Sequence, residues 1–555
     1  MLNQTHLMKK LIFGAFMLIG AFGFSQETGY FFGGLESNSQ WLLDDEKFDF
    51  PAPDEQFRSN NYLQLNYSLG NFTAGLQYES YLPMALSGYS PTWDGQNGIG
   101  TYYLNFKNET LDVTAGYFYE QFGSGLILRT WEDRQLGINN AMKGVRVKFN
   151  PTSTFDLTGV FGQTRNGFDV SEGTIQGLDA NLDLSQLMKI DAVDLKFGAS
   201  YVGRHQSNGG NDSIPTTVNA YGGRLDFVIN NFYGGVEAIT KDPDVLINDK
   251  IVSSPQLFDG TALLVNMGYA QKGLGINTTF RRLENFSFYS DRYAEGNEYN
   301  EQLVNYVPAI TKQHDYMLSN IYVYNSQPRL LFDEFEKRAG EVGAQIDVYY
   351  SFDRESALGK VGTKLAGNFS YWAGLDGEYN MAEQTYDIKF IGNGKRYFRD
   401  MNIEIKNRWS SKWSTKASFQ DVIVDKAVSK GGILGNEGDI HAQIAVIEGT
   451  RRLGGGKAIT LELQHLWTKD DDKNWAASVL EYNFNSSFSV FAADSWNYGG
   501  ENELHYYNFG GSYSKGRTRF ALNYGRQRGG LICVGGVCRE VPKSTGVTAN
   551  LVVTF

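Results

Sequence analysis

From Thr545 to Phe555 the chain alternates without interruption. Thr545, Val547, Ala549, Leu551, Val553 and Phe555 lie on one face of an extended segment, and Gly546, Thr548, Asn550, Val552 and Thr554 lie on the other. A period of two residues specifies a β-strand, because successive side chains of an extended chain point to opposite faces. The same texture recurs upstream. In 402–409, Asn402, Glu404, Lys406 and Arg408 oppose Ile403, Ile405 and Trp409. In 143–149, Arg146 and Lys148 oppose Val145, Val147 and Phe149. Arg224 and Asp226 oppose Leu225 and Phe227, and Glu462 and Gln464 oppose Ile459, Leu461 and Leu463. Beyond residue 28, such segments are separated by turns rich in Gly, Asn, Asp and Ser.

Strict alternation has two physical settings. A soluble sheet turns its apolar face to a core and its polar face to water. A membrane barrel turns apolar side chains to lipid and polar ones to an enclosed lumen. Three features select the barrel. The strand texture runs to the last residue, Phe555, and the connections alternate between short and long. Aromatic residues cluster at strand ends, as at Trp409, Trp413, Trp467, Trp475 and Trp496, where an interfacial girdle requires them. Composition removes the competitors. With 9 Trp, 33 Tyr and 37 Phe among 555 residues, the chain is too aromatic for disorder. No stretch after the amino terminus reaches the roughly eighteen consecutive apolar residues of a helical span. Lys plus Arg number 50 against 62 Asp plus Glu, and a net charge of −12 argues against a nucleic-acid partner.

Lys9 and Lys10 precede an apolar run from Leu11 to Phe24, with the small residues Gly23 and Ser25 where a signal peptidase reads. Residues 1–25 read as a secretory signal cleaved between Ser25 and Gln26, leaving 26–555 as a single outer-membrane barrel domain. No cysteine stands at the cleavage point to carry a lipid.

The fold class expected is all-β: a large antiparallel transmembrane β-barrel of about 26 strands, within a range of about 22–26, with both termini periplasmic and long extracellular loops. Even parity requires one strand in the middle of the chain. Leu318–Tyr324 (LSNIYVY) supplies it, with the polar stretch Asp333–Gly340 as the following periplasmic turn. A barrel of that size is roughly 50 Å across and cannot be filled by its own wall side chains. Water, in-folded loops or a partner must occupy it. No separate amino-terminal plug of about 150 residues is present, which disfavours a TonB-dependent transporter.

The densest non-strand signal is YFYEQFGSGLILRTWEDRQLGINNAM, residues 117–142. Glu120, Arg129, Glu132, Asp133 and Arg134 share the link 120–142 with Leu126, Ile127, Leu128 and Ile138. This mixture fits a segment folded into the lumen, its charges paired with wall residues; it equally fits an ordered external loop with local salt bridges. The lumen or constriction set is therefore Glu120, Arg129, Glu132, Asp133, Arg134, Arg146, Lys148, Arg224, Asp226, Glu404, Lys406 and Arg408. The link 285–315 carries Tyr289, Tyr293, Tyr299 and Tyr306 and reads as a mobile external loop or a cap.

The cysteines Cys533 and Cys538 sit in ICVGGVC. Gly535-Gly536 is a two-residue hairpin signal, because that turn needs positive φ. Val534 then pairs with Val537, and the cysteines form the next, non-hydrogen-bonded pair with α-carbons ~4.5 Å apart, within disulfide reach. A structural disulfide near the tip of the last external loop is the reading. C-x₄-C without a second ligand pair does not make a metal site.

Enzyme signals are poor. His205, His314, His441, His465 and His505 are scattered outside any catalytic motif, and Asp470, Asp471 and Asp472 lack the spacing of a calcium loop. No enzyme activity, metal or other cofactor is expected.

YFFGGLESNSQWL after the signal, FYEQFGSGLILRTWEDRQLGINNAMKGVRV, and YMLSNIYVYN resemble an uncharacterised Bacteroidota family of outer-membrane β-barrels, a domain of unknown function. The likeness spans essentially the whole mature chain and implies location and fold, with no activity to transfer. Phe555 is the expected membrane-insertion signal. Expected partners are outer-membrane lipid, the barrel-assembly machinery during insertion, and other envelope proteins. Two functions remain open: a pore or transport barrel for small polar solutes with a charged, loop-constricted lumen, or a non-conducting scaffold in an envelope secretion or assembly complex.

Overall fold

A computed structural model describes residues 28–555 apart from 249–250, 300, 327–338, 381, 384 and 430–437. The signal segment 1–25 and most of the Asp333–Gly340 turn therefore lie outside the described residues. Twenty-four antiparallel strands form one sheet. It closes where Tyr30–Leu42 pairs with Ser544–Thr554, in register from Gly34 opposite Thr554 to Leu42 opposite Gly546. Phe555 extends the ladder by one step, exchanging backbone hydrogen bonds with Gly33.

The start of the first strand and the end of the last lie at the same rim as the tight turns. Those turns are short where glycine supplies positive φ, as at Gly70, Gly273 and Gly516. The opposite rim carries the long links, among them 43–56, 81–96, 119–141, 206–216, 285–339 and 528–543. Two tight-rim links break the pattern: 184–193 holds the short helix Leu184–Met188, and 352–363 holds the 3₁₀ turn Gly359–Val361.

Burial is inverted relative to a soluble sheet. In Arg396–Asn407, Met401 and Ile403 are 47% and 53% exposed, whereas Asp400 and Asn402 are each 4% exposed. In this strand apolar side chains at Met401 and Ile403 line the outside and polar ones at Asp400 and Asn402 the inside, as the alternation predicts. At the rims Trp409, Trp413, Trp467 and Trp496 are exposed on the outer face. Trp475 is not. It points inward, 1% exposed, and stacks on Tyr506. A strand-end aromatic has two possible neighbours, lipid or lumen contents, and position alone does not choose between them.

Leu318–Tyr324 forms no strand. A single 3₁₀ turn, Leu318–Asn320, stands there inside the barrel. The reason is in its pattern: Ile321-Tyr322-Val323-Tyr324 is a continuous apolar run, not an alternation. Leu318, Ile321, Tyr322 and Tyr324 are buried together rather than on one face. Without that strand the barrel still has an even number and lies inside the expected range.

Candidate functional site: a lumen closed by its own loops

The inner wall changes character along its length. From the long-loop rim toward the tight-turn rim, Trp413–Asp425 presents Val424, Val422, Gln420, Ser418 and Lys416 inward. Its neighbour presents Phe398, Asp400, Asn402, Glu404 and Lys406 at the matching rungs. Across the barrel, Thr217–Ile229 presents Val218, Ala220, Gly222, Arg224 and Asp226. Each series starts apolar at the long-loop rim and ends charged at the tight-turn rim. The apolar upper zone is where in-folded links dock, and the charged lower zone faces the tight-turn opening.

The link 119–141 enters the barrel as two miniature hairpins, Gln121–Phe122 with Leu128–Arg129 and Glu132–Asp133 with Ile138–Asn139. Phe122, Ile127 and Leu128 are fully buried against Val160, Ile175, Val202, Val218, Ala220 and Ile239 of the wall. Burying each such side chain contributes about 1.5–3 kcal/mol. The Phe122 ring reaches the wall because residue 177 is glycine: a Cβ there would stand 2.8 Å from the ring.

The charges of this link divide by role. Glu120 lies 2.8 Å from Lys148 and 3.8 Å from Arg146, so these three do meet between link and wall. Arg134 bonds Glu36 of the first strand at 2.5 Å and Glu132 at 3.0 Å, and donates to Gln77. Arg129 stacks over Tyr306 and Trp131 and forms no ion pair among the described residues. Asp133 accepts from the backbone N–H of Gln135 and Leu136 and holds a turn. The remaining wall residues are elsewhere. Arg224 is paired with Asp179 at 2.8 Å, and Asp226 faces the open lower lumen. Glu404 pairs with Lys406 and accepts from the hydroxyl of Tyr316, which lies inside the barrel in the link 285–339. Arg408 lies past its strand, exposed in the tight-turn link, and does not line the lumen.

The larger occupant is 285–326, of which the sequence reads 285–315 as a mobile external loop or a cap and Leu318–Tyr324 as a strand. Phe286, Phe288 and Val304 join the cluster built by 122–128, while Tyr316, Leu318, Ile321 and Tyr324 pack on the opposite wall against Trp372, Phe398, Val422, Val424, Ile440 and Ile444. The segment thus spans the lumen. It is tied to 119–141 through Arg129 N–H to Val304 C=O and Tyr306 N–H to Gly125 C=O. Buried ion pairs anchor the surroundings: Arg165 with Glu79, both fully buried, Arg204 and Arg292 with Asp244, and Arg281 with Glu341. Breaking one partner of such a pair costs about 3–5 kcal/mol. His314 of this segment stacks on Tyr316, and burial, with Lys312 nearby, lowers its pKa to about 4.

Cys533 and Cys538 are disulfide-bonded, and Gly530–Val534 pairs with Val537–Val541 in the expected register, Val534 opposite Val537 and Cys533 opposite Cys538. The hairpin tip does not project outward. Gly536 C=O accepts from Ala309 N–H at 2.7 Å, Tyr306 Oη donates to Gly535 C=O at 3.1 Å, and Arg539 donates to Leu136 C=O at 2.8 Å. Arg539 also lies over the Tyr89 ring. One stapled hairpin therefore touches the links 81–96, 119–141 and 285–326.

A family profile matches residues 8–555, and its description is a family of unknown function, DUF6029. The chain belongs to that family. No curated protein matches the DUF6029 chain. Among solved structures, the translocation pore of the P pilus usher PapC is similar at a TM-score of 0.43 with 10% identity, over 95% of this chain and 100% of that one. The copper transporter OprC gives 0.41 and 10%, over 96% and 81%. OccK5 (OpdH) of Pseudomonas aeruginosa gives 0.34 and 12%, over 76% and 97%. At such scores the likeness extends to neither cargo nor mechanism.

Proposed function

We propose that this DUF6029 protein is an outer-membrane barrel that carries small polar solutes, with its lumen held shut at rest by 119–141 and 285–326. The supporting observation is the inner wall: a charged, mixed-sign lower zone open at the tight-turn rim, directly beneath a packed apolar closure. A purely structural barrel has no need of an open charged vestibule, whereas a solute path does. The apolar outer belt sits in lipid, residues 1–25 direct export, Phe555 marks the chain for the assembly machinery, and the tight-turn rim faces the periplasm of a Gram-negative cell. The chemistry is binding and passage, not catalysis.

Planar-bilayer recording tests this reading. The intact protein is expected to be closed most of the time, and deletion of Leu126–Asn139 is expected to raise conductance severalfold. Unchanged conductance after the deletion rejects the constriction. The scaffold reading draws on one specific observation, the fully buried Glu79–Arg165 pair among the loop contacts, which resembles a permanent core. Electrical silence of both forms, together with stable co-purifying envelope proteins, would favour it.

A further inference from the structure

Between 311–324 and the far wall lies a cavity of about 30 Å³, lined by Thr311, Lys312, His314, Ser319, Asp400 and Gln420 with their neighbours. Space of that size holds about two water molecules or one compact polar head group. Among the described residues, five side-chain atoms of the lining are buried without a hydrogen-bond partner: Asp400 Oδ1, Gln420 Nε2, Ser319 Oγ, His314 Nε2 and Tyr322 Oη. Asp400 and Gln420 are 4% and 2% exposed. Orphaned polar atoms at that burial cost about 1–3 kcal/mol each unless something fills the space.

Asp400 is the informative member, because it forms no ion pair among the described residues. The nearby cations are turned elsewhere: Lys312 toward Tyr349, Lys406 to Glu404, Lys416 to Glu448, and Arg528 to the backbone C=O of Asn320. The other oxygen of Asp400 accepts from Asn402, which also donates to Asn368, which in turn donates to Asp347. From Asp400 this polar chain drops one rung to Asn402 and then runs sideways across two neighbouring strands.

We propose that the cavity binds the protonated primary amine of a small solute, with Asp400 as its counter-ion. Ser319 Oγ and His314 Nε2 accept the remaining ammonium hydrogens, and Gln420 Nε2 donates to an oxygen next to the amine, as in amino alcohols and amino acids. The volume admits the head group and little more, so the rest of the solute projects from the cavity. The site deepens the transport reading by naming its substrate class.

Ethanolamine tests it, with ethylene glycol as the uncharged probe of similar size. Titrated into the detergent-solubilised full chain at neutral pH, ethanolamine is expected to raise the melting temperature saturably, and ethylene glycol is not. Asp400→Asn is expected to weaken the response at least tenfold and Gln420→Met at least threefold, while Asp212→Asn, in the exposed link 206–216, leaves it unchanged. Retained heat-modifiable migration in each variant shows that the barrel has folded. An absent response, an equal response to ethylene glycol, or wild-type affinity in either cavity variant overturns the proposal. Because binding is read without conduction, electrical silence of both the intact and the Leu126–Asn139-deleted forms, with ethanolamine still bound, removes the transport reading and keeps the site. A conducting barrel that does not bind it removes the site alone.

Discussion

Two single residues carry the clearest pH dependence. Asp45, in the link after the first strand, accepts from Arg526 at 2.7 and 2.8 Å and from Thr545 at 2.8 Å, so it clamps the first strand's link to the last two strands. Burial pushes its pKa up, but Arg526 and Thr545 outweigh this and hold it below the usual carboxylate value. A depressed folded pKa means stability present above the unfolded value, about 3.9, and lost as pH falls through the folded one. Asp45→Asn should cost about 2 kcal/mol at neutral pH and flatten the acid limb of a heat-modifiability curve; an unaltered limb argues against the clamp. His314 has the opposite charge and the same direction in pH. Its docked pKa of about 4 lies below its ordinary value of about 6.5, so the undocked segment binds the proton more tightly. Docking of 311–324 should weaken as pH drops from near 6.5 toward 4, seen as faster protease cleavage within 311–324, and His314→Gln should remove most of that dependence.

At the scale of elements, the hairpin and the close approaches of the links are the levers. Gly177→Leu places a side chain where the Phe122 ring sits and should destabilise docking of 119–141 by about 1–3 kcal/mol. Hydrogen exchange across 119–141 should rise while the wall strands stay protected. Cys533→Ser with Cys538→Ser should loosen 134–139 and 306–309 together, since Gly536 and Arg539 hold both; independent behaviour of the two segments would show that the hairpin is no latch. The strands were legible because period two is a local property, and the hairpin register was legible because Gly535-Gly536 fixes the turn. Where the hairpin docks was not, since Ala309 and Leu136 are hundreds of residues from it. The in-folding of 285–326 left one readable trace. In Asp439–Gly454, Ile440, Ala442, Ile444 and Val446 face inward and His441 and Gln443 outward. That reversed alternation places apolar wall inside the lumen, where only an apolar occupant could cover it. Trp475 gives the same signal, lying opposite inward-facing Leu466.

For the whole molecule, the wall and its contents have separate stabilities. The wall is a continuous hydrogen-bonded ladder closed on itself, whereas the contents are held by two apolar clusters, buried ion pairs and one hairpin. Denaturant should therefore release the contents first, giving an intermediate with full β-sheet circular dichroism and raised conductance. A single concerted loss of both signals would mean that wall and contents are one cooperative unit.

The segment that crosses the lumen is made midway along the chain. Its first half rests on wall built before it, from Val160 to Leu283, and its second half on wall built after it, from Trp372 to Ala477. The girth of the cylinder follows from its strand number and stagger, so the segment sets no diameter. It acts as a tie-beam: the earlier and later arcs of the wall are linked through the interior as well as along their edges.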